Sequence, residues 1–358
     1  MACGRYDQSV NVAVVGAGVI GCAIAHEIAS RGAKVTVFER RGVARGASWA
    51  SAGVLAPWIE AHEHGPLLEM CARSLAMYDD FAEGVRHDGG ASFEYARPGT
   101  IEVAFTEEQA EAMQRTAAAL GQAGVRASWL DRQAARDLEP ALNEFIFGAL
   151  RIDDHGFVEM PGLVEALAVA ARMRGAAFHA PIDVTRIEPA PGGAVRLHTS
   201  DAPQTFDRVV IAGGSWTNRL RAGGPQIRPV KGQLVRLRLD TPAATRVLWS
   251  EACYMVPWQD GTLLVGATME DAGFDERPTS AAVASLLAAA ALLVPATRDA
   301  AFVDVRAGLR PAPTDDGGMP FIGPSPSIAN VTIASGHFRN GVLLAPLTAK
   351  LAAAAVLD

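Results

Sequence analysis

Val12 to Val15 form a short apolar run that ends directly in Gly16-Ala17-Gly18-Val19-Ile20-Gly21, and this junction limits the possible folds more than anything else in the chain. An uninterrupted β-branched run predicts a central parallel strand buried on both faces. Gly-x-Gly-x-x-Gly behind such a strand predicts a turn into a helix. The first glycine permits the tight turn, the second lets the backbone approach a diphosphate, and the third lets helix and strand pack closely. The helical pattern runs from Val19 to Arg31, with Gly32 where a C-cap residue belongs. Lys34 to Glu39 reads as a second strand and completes a βαβ unit. Glu39 lies 39 − 21 = 18 residues after the last glycine, where a carboxylate accepts hydrogen bonds from a ribose. A helix N-terminus can hold a diphosphate without a lysine. A purely structural glycine turn accounts for the loop alone, whereas a dinucleotide site accounts for strand, loop, helix and acid together. The loop by itself does not choose between FAD and NAD.

The remaining text alternates between two styles. Strand-like Thr100 to Phe105 and a polar helix from Glu107 to Leu120 follow a helical pattern from about Pro66 to Val85. A long helix is expected around Met160 to Arg174, then strand-like stretches at Asp183 to Glu188, Ala194 to His198 and Arg208 to Ile211. Alternating runs at Gln233 to Leu239 and Leu263 to Ala267 suggest antiparallel strands, and Val331 to Ala334 is another short buried strand before a C-terminal helix. The Ala-rich segments Ala281 to Ala291 and Ala349 to Ala355 read as packed helices. The expected class is α/β: a discontinuous Rossmann-like nucleotide-binding domain from residues 1–88, 152–223 and 304–358, with a second, α+β domain on a mainly antiparallel sheet from 89–151 and 224–303.

At 358 residues the chain has room for roughly two domains. A net charge of −7, from 32 Lys and Arg against 39 Asp and Glu, argues against a nucleic-acid partner, which needs clustered cations. Cys3, Cys22, Cys71 and Cys253 are too scattered for a CxxC pair and read as reduced thiols. The first ten residues lack the pattern of a secretory signal, and the longest apolar stretch, Leu286 to Val294, is about half of what a bilayer needs. No membrane span and a cytoplasmic setting are therefore expected. His62 and His64 read as a polar loop rather than a metal pair, so no metal is expected, and no Ser/His/Asp or Cys/His pattern is found.

Arg40 to Gly53 (Arg-Arg-Gly-Val-Ala-Arg-Gly-Ala-Ser-Trp-Ala-Ser-Ala-Gly) is rich in small and hydroxyl residues that can wrap a flat polar ligand. With Val209 to Trp216, Pro229-Val230-Lys231-Gly232-Gln233, Tyr254 with Val256-Pro257, Gly266 to Met269, Gly308 to Pro311 and Gly336 to Gly341, it resembles the D-amino acid oxidase superfamily. Within that superfamily the chain is most similar to the glycine oxidases associated with thiamine biosynthesis. Order and spacing are kept over nearly the whole length.

The resemblance makes the first domain the FAD-binding domain and the second the substrate-binding domain, with FAD across the first and a substrate pocket roofed by the second. It places the cofactor against Gly16, Gly18, Val19, Ile20, Gly21, Glu39, Arg40, Ala47, Ser48, Ser51, Ala52 and Gly53. Further contacts follow from Val184 beside the adenine, Ala212, Gly213, Trp216, Arg310 and the last loop with His337, Arg339, Asn340, Gly341 and Val342. The flavin is expected to be noncovalent, because no cysteine follows position 253. Arg310 is the expected carboxylate grip, since a guanidinium fork binds a carboxylate bidentately, and Tyr254 offers its hydroxyl to the same group. Met269 and Arg339 line the pocket in this reading. Gly341 is expected to begin the C-terminal helix, with its positive end toward the flavin pyrimidine ring. Pocket volume is expected to depend on residues between about 91 and 150.

The implied reaction is oxidative deamination of a small amino acid (glycine, sarcosine or a D-amino acid) by hydride transfer from Cα to FAD N5. Its products are a 2-oxo acid, ammonia or an amine, and hydrogen peroxide once O2 reoxidises the flavin. The main alternative is a D-amino acid or D-hydroxyproline dehydrogenase that passes electrons to a quinone or respiratory acceptor. A flavin-bound scaffold without turnover is a rival of another class, disfavoured by Arg310 and Tyr254 together. Relatives are commonly homo-oligomers, so a homo-oligomer is one state the resemblance allows, and the residues themselves select none.

Overall fold

The structure is a computed structural model that describes residues 10–60, 65–241, 244–314 and 318–358. The apolar run forms the strand Asn11–Val15, at the centre of a six-stranded sheet. It pairs in parallel with Lys34–Phe38 on one side and Arg208–Ile211 on the other. Val331–Ser335 and Ala177–His179 continue the parallel order, and Phe321–Pro324 adds an antiparallel edge. The central strand is buried on both faces: Val12 and Val14 share one apolar cluster with the helices Val19–Ser30, Gly162–Met173 and Ala345–Leu357, while Ala13 and Val15 pack in a second cluster with Val184, Ile187, Val195, Leu197 and Phe206. The first helix ends at Arg31 with Gly32 in a left-handed conformation, the position that relieves a side chain of strain.

The second large sheet has eight strands and is antiparallel apart from one parallel pairing, Val247–Trp249 with Thr100–Ala104. Its edge strand Ala301–Pro313 pairs along its length with Ile227–Arg238. Helix Ser280–Leu293 packs its buried residues into the cluster on one face of this sheet. A three-stranded antiparallel sheet, Val184–Pro189, Val195–Thr199 and Gln204–Phe206, interrupts the chain between two strands of the first sheet.

Three expectations need correction. The pattern from Pro66 to Val85 is two helices, Pro66–Leu75 and Tyr78–Gly89, parted at Ala76 and Met77. The C-terminal helix begins at Ala345 and not at Gly341; the turn before it is closed by the Leu344 amide donating to the Asn340 carbonyl at 2.8 Å. The division expected at residue 304 falls inside a single strand, because the ladder from Ala301 to Pro313 belongs to the eight-stranded sheet throughout. His62 and His64, Cys3 and the amino-terminal stretch read for a signal lie outside the described residues. Among the described residues, no helix is long and apolar enough to cross a membrane.

Candidate active site

One elongated cavity of about 400 Å³ runs from the glycine loop to the eight-stranded sheet. Glycine is required where the loop turns. Gly16 has φ +110, and a β-carbon there would overlap the Ala212 carbonyl; one on Gly21 would overlap the Gly16 carbonyl. The Gly16 amide donates to the Phe38 carbonyl at 2.8 Å, that of Ala17 to Glu39 Oε2 at 2.9 Å, and that of Val19 to Ser48 Oγ at 3.0 Å. The amides of Gly18 and Ile20, both on the cavity wall, are left available to an anion at the helix N-terminus. Glu39 also accepts from the Arg41 amide at 2.9 Å, so its carboxylate braces the loop and retains lone pairs for a ribose.

The wall brings together nearly every residue expected at the cofactor. Val19, Arg40, Ala47, Ser48, Ser51, Ala52 and Gly53 line it from the first crossover, and Val184, Ala212, Gly213 and Trp216 from the middle of the chain. His337, Arg339, Gly341 and Val342 line it from the last loop. Gly21 and Asn340 do not reach the wall. Gly21 works behind it as a packing contact, and Asn340 is buried with its carbonyl in the turn that leads to the last helix. Trp216 carries the Arg40 guanidinium 4.0 Å and the Arg41 guanidinium 5.0 Å from its ring centre, and Arg41 is paired with Glu276 at 2.7 Å.

At the far end, Tyr254, Met269 and Arg310 converge from three strands or strand ends. Arg310 Nη1 donates to the Thr268 carbonyl at 3.0 Å and the Lys231 carbonyl at 3.5 Å. Among the described residues no carboxylate forms an ion pair with it. Tyr254 packs on the Trp249 ring, with centroids 4.9 Å apart. Met269 is 68% exposed and sits at the rim. His337 is fully enclosed and bonded through Nε2 to Thr348 Oγ1 at 3.0 Å; burial pushes its pKa down to about 3, so it is neutral.

Two glycines build this end, and the sequence placed them only within the resembling motifs, without a role. A β-carbon on Gly232 would overlap the Arg310 guanidinium, and one on Gly266 would lie 2.5 Å from the Tyr254 hydroxyl. Gly232 stands inside the strand Ile227–Arg238 and Gly266 closes the strand Thr262–Gly266; a strand glycine marks close approach of another group, and that is the signal that could have assigned their role. The expectation that residues 91–150 shape the pocket is overturned: none of them lines the cavity, and Trp249 to Tyr254 form that wall instead. Residues of 91–150 stand behind it: the strand Thr100–Ala104 pairs with Val247–Trp249, and Gln109 Nε2 donates to Glu251 Oε2 at 2.9 Å.

The missing β-carbons at Gly16 and Gly21, the available amides and the small-residue wall from Ala47 to Gly53 fit a dinucleotide that extends to a flat ring system. This combination, with a second sheet closing the far end, defines a dinucleotide-dependent oxidoreductase of two-part build. The family model for FAD dependent oxidoreductases, DAO, matches residues 11–355, and the chain belongs to that family. It is 38% identical to a glycine oxidase of Geobacillus kaustophilus over 98% of this chain and 92% of that protein. The crystal structure of glycine oxidase from Geobacillus kaustophilus matches with a TM-score of 0.92 and 35% identity, covering 98% of this chain and 95% of that one. An iminodiacetate oxidase from Chelativorans matches with a TM-score of 0.86 at 27% identity, covering 97% and 95%. The protein is thus an FAD-dependent enzyme of the amino acid oxidase and dehydrogenase type, similar to glycine oxidases.

Proposed function

We propose that the enzyme oxidatively deaminates a small amino acid, such as glycine, sarcosine or a small D-amino acid, to a 2-oxo acid, ammonia or amine, and hydrogen peroxide. The observation that carries this reading is Arg310: a guanidinium in the cavity wall, oriented by two backbone carbonyls and, among the described residues, paired with no carboxylate. A partly buried cation without a counter-ion costs free energy that a substrate carboxylate relieves. The names of the relatives point the same way, since glycine and iminodiacetate are both amines bearing an α-carboxylate.

FAD, held by the residues at the glycine loop, at 39–41 and 47–53, and in the last loop, supplies a hydride acceptor when bound. The chain's own part is to bind and orient. Arg310 grips the carboxylate with the donors its backbone tethers leave open, while Tyr254 adds a hydroxyl from a ring fixed between Gly266 and Trp249. Met269 covers the rim. His337 is neutral with Nε2 engaged, so it is assigned no proton transfer, and hydride transfer from a neutral amine requires none. Cys253 lines the wall as a thiol that burial pushes up to about 11, which supports a noncovalent flavin. A cytoplasmic setting belongs to the same proposal, supported by the buried thiols Cys22 and Cys253 outside any disulfide. The FAD-binding half then comprises residues 10–88, 152–223 and 314–358, and the substrate half 89–151 and 224–313.

Anaerobic mixing of the holoenzyme with glycine, sarcosine and small D-amino acids tests this. Bleaching of the flavin absorbance with at least one of them is expected, followed by peroxide when air is admitted. No bleaching with any of them overturns the reading, and bleaching that only an artificial dye reverses transfers it to the dehydrogenase class.

A further inference from the structure

The strand that carries Arg310 also carries a second arginine on the same face. Residues 306, 308 and 310 share one side of the strand, because side chains alternate. The Arg306 side chain is 5% exposed, and its Nη1 donates to the Trp49 carbonyl at 3.4 Å and the Met160 carbonyl at 3.3 Å. Its guanidinium also stands 4.6 Å from the Trp49 ring centre, and Arg45 stands at 4.6 Å from the same ring. Two residues on, Gly308 lets the strand lie flat on the loop: a β-carbon there would sit 2.8 Å from Ala50 Cβ and 3.4 Å from Ala47 Cα. Trp49, Ala50 and Ala47 belong to the small-residue wall of the cavity, where Ala47 and Ala50 are lining residues.

Arg306 is not held there by a good ion pair. Its Nε lies 3.5 Å from Asp304 Oδ1, and both atoms are buried without a hydrogen bond. Burying a guanidinium on such terms is costly for stability alone. A cation over an aromatic ring that also donates to two carbonyls from separate segments is a task suited to arginine and poorly met by lysine.

We propose that Arg306 is a positioning residue for the cofactor: it clamps the loop 46–53 onto the strand Ala301–Pro313, preforming the flavin wall in the apoprotein and setting it in register with Arg310 four residues further along. The clamp replaces loop ordering that binding would otherwise have to supply, and preorganisation of this kind appears as affinity. The inference rests on the cavity being the FAD site, and the test separates the two.

The experiment is hydrogen–deuterium exchange of the peptide spanning 46–53 in apoprotein and holoenzyme, with FAD affinity from a fluorescence titration, for the wild type, Arg306→Met and Arg306→Lys. In Arg306→Met apoprotein, exchange in 46–53 should accelerate at least tenfold while the strand Lys34–Phe38 is unchanged, and the Kd for FAD should rise at least tenfold. Arg306→Lys should recover part of both effects. Unchanged loop exchange and unchanged Kd in Arg306→Met overturn the clamp, as does faster exchange of the strand and loop alike at constant Kd, the mark of a merely structural role. Should Arg306→Met not fold, Trp49→Ala removes the stacked ring and keeps the carbonyl; the same shifts are expected, and wild-type values overturn the proposal. FAD that binds the wild type without slowing exchange in 46–53 counts against the cavity as its site, whereas the apoprotein comparison still decides the clamp.

Discussion

A β-carbon on Gly232 would meet the far end of the Arg310 side chain, and one on Gly266 the hydroxyl end of Tyr254. Each functional group thus occupies the volume that an ordinary residue on a neighbouring strand would fill. Since the atoms at risk on Arg310 are the tip of a flexible chain, Gly232→Ala should fold, with the fork displaced from its carbonyl tethers. We expect the KM for the amino acid substrate to rise about tenfold, about 1.4 kcal/mol, with FAD affinity within about twofold of wild type. Arg310→Ala should lower kcat/KM by about 10²-fold or more, from charge-assisted bonds of roughly 1.5–3 kcal/mol each. Steady-state kinetics with a parallel flavin titration check both, and a Gly232→Ala enzyme that loses flavin while keeping its KM would contradict the assignment.

Among the elements, the first crossover depends on backbone meeting backbone. The β-carbon of an alanine at position 21 would overlap the Gly16 carbonyl, and neither atom can swing aside as a side-chain tip would. Gly21→Ala should therefore push the helix Val19–Ser30 away from the strand Asn11–Val15, costing about 1–3 kcal/mol as overpacking does. The same shift displaces the amides that face the diphosphate. A lower denaturation midpoint and purified protein without yellow colour are expected; full flavin content would show that the third glycine is dispensable. The strand Ala301–Pro313 is an element with two duties, its Arg306–Gly308 part lying on the cofactor loop and its Arg310 part on the substrate end.

For the whole molecule, pH dependence near neutrality follows chiefly from two buried histidines and the partly buried Glu102. Burial pushes His155 and His337 down to about 3 and Glu102 up to about 7. A histidine with a lowered folded pKa contributes stability above about 6.5 that is lost as pH falls toward 3, because the unfolded chain takes up the proton first. Glu102 acts with the opposite sign, since the folded state takes up its proton as pH falls through 7 while the unfolded chain waits until about 4.5. Between pH 5 and 6 the two histidine protons thus favour unfolding, while Glu102 and, with the same sign, Glu94, raised first by burial, oppose it, so the net slope is at most about one proton, about 1.4 kcal/mol per pH unit. Asp88, held low first by Arg174, adds to the loss once pH falls into the ordinary carboxylate range, where the unfolded chain takes up the proton first. Removing this opposing proton in Glu102→Gln should steepen the slope in chemical denaturation across pH 5 to 6 by about one proton, about 1.4 kcal/mol per pH unit; an unchanged slope would refute the proton-binding role of the partly buried Glu102.

The sequence alone determined the βαβ unit, with strand Asn11–Val15, helix Val19–Ser30 and strand Lys34–Phe38 within a residue or two of their expected bounds. Steric permission at glycine and the apolar periodicities act between near neighbours, so they are written in the local text. Resemblance to relatives, and not any local pattern, pointed to FAD and singled out Arg310. Only the tertiary structure decided that Trp249 to Tyr254 wall the cavity, that Gly232 and Gly266 seat the two polar groups, and that Arg306 reaches the Trp49 carbonyl 257 residues away. Such contacts depend on which strands pair and in which register, and on which sheet face meets which loop. Those choices come from packing the whole core, and no window of neighbouring residues contains them.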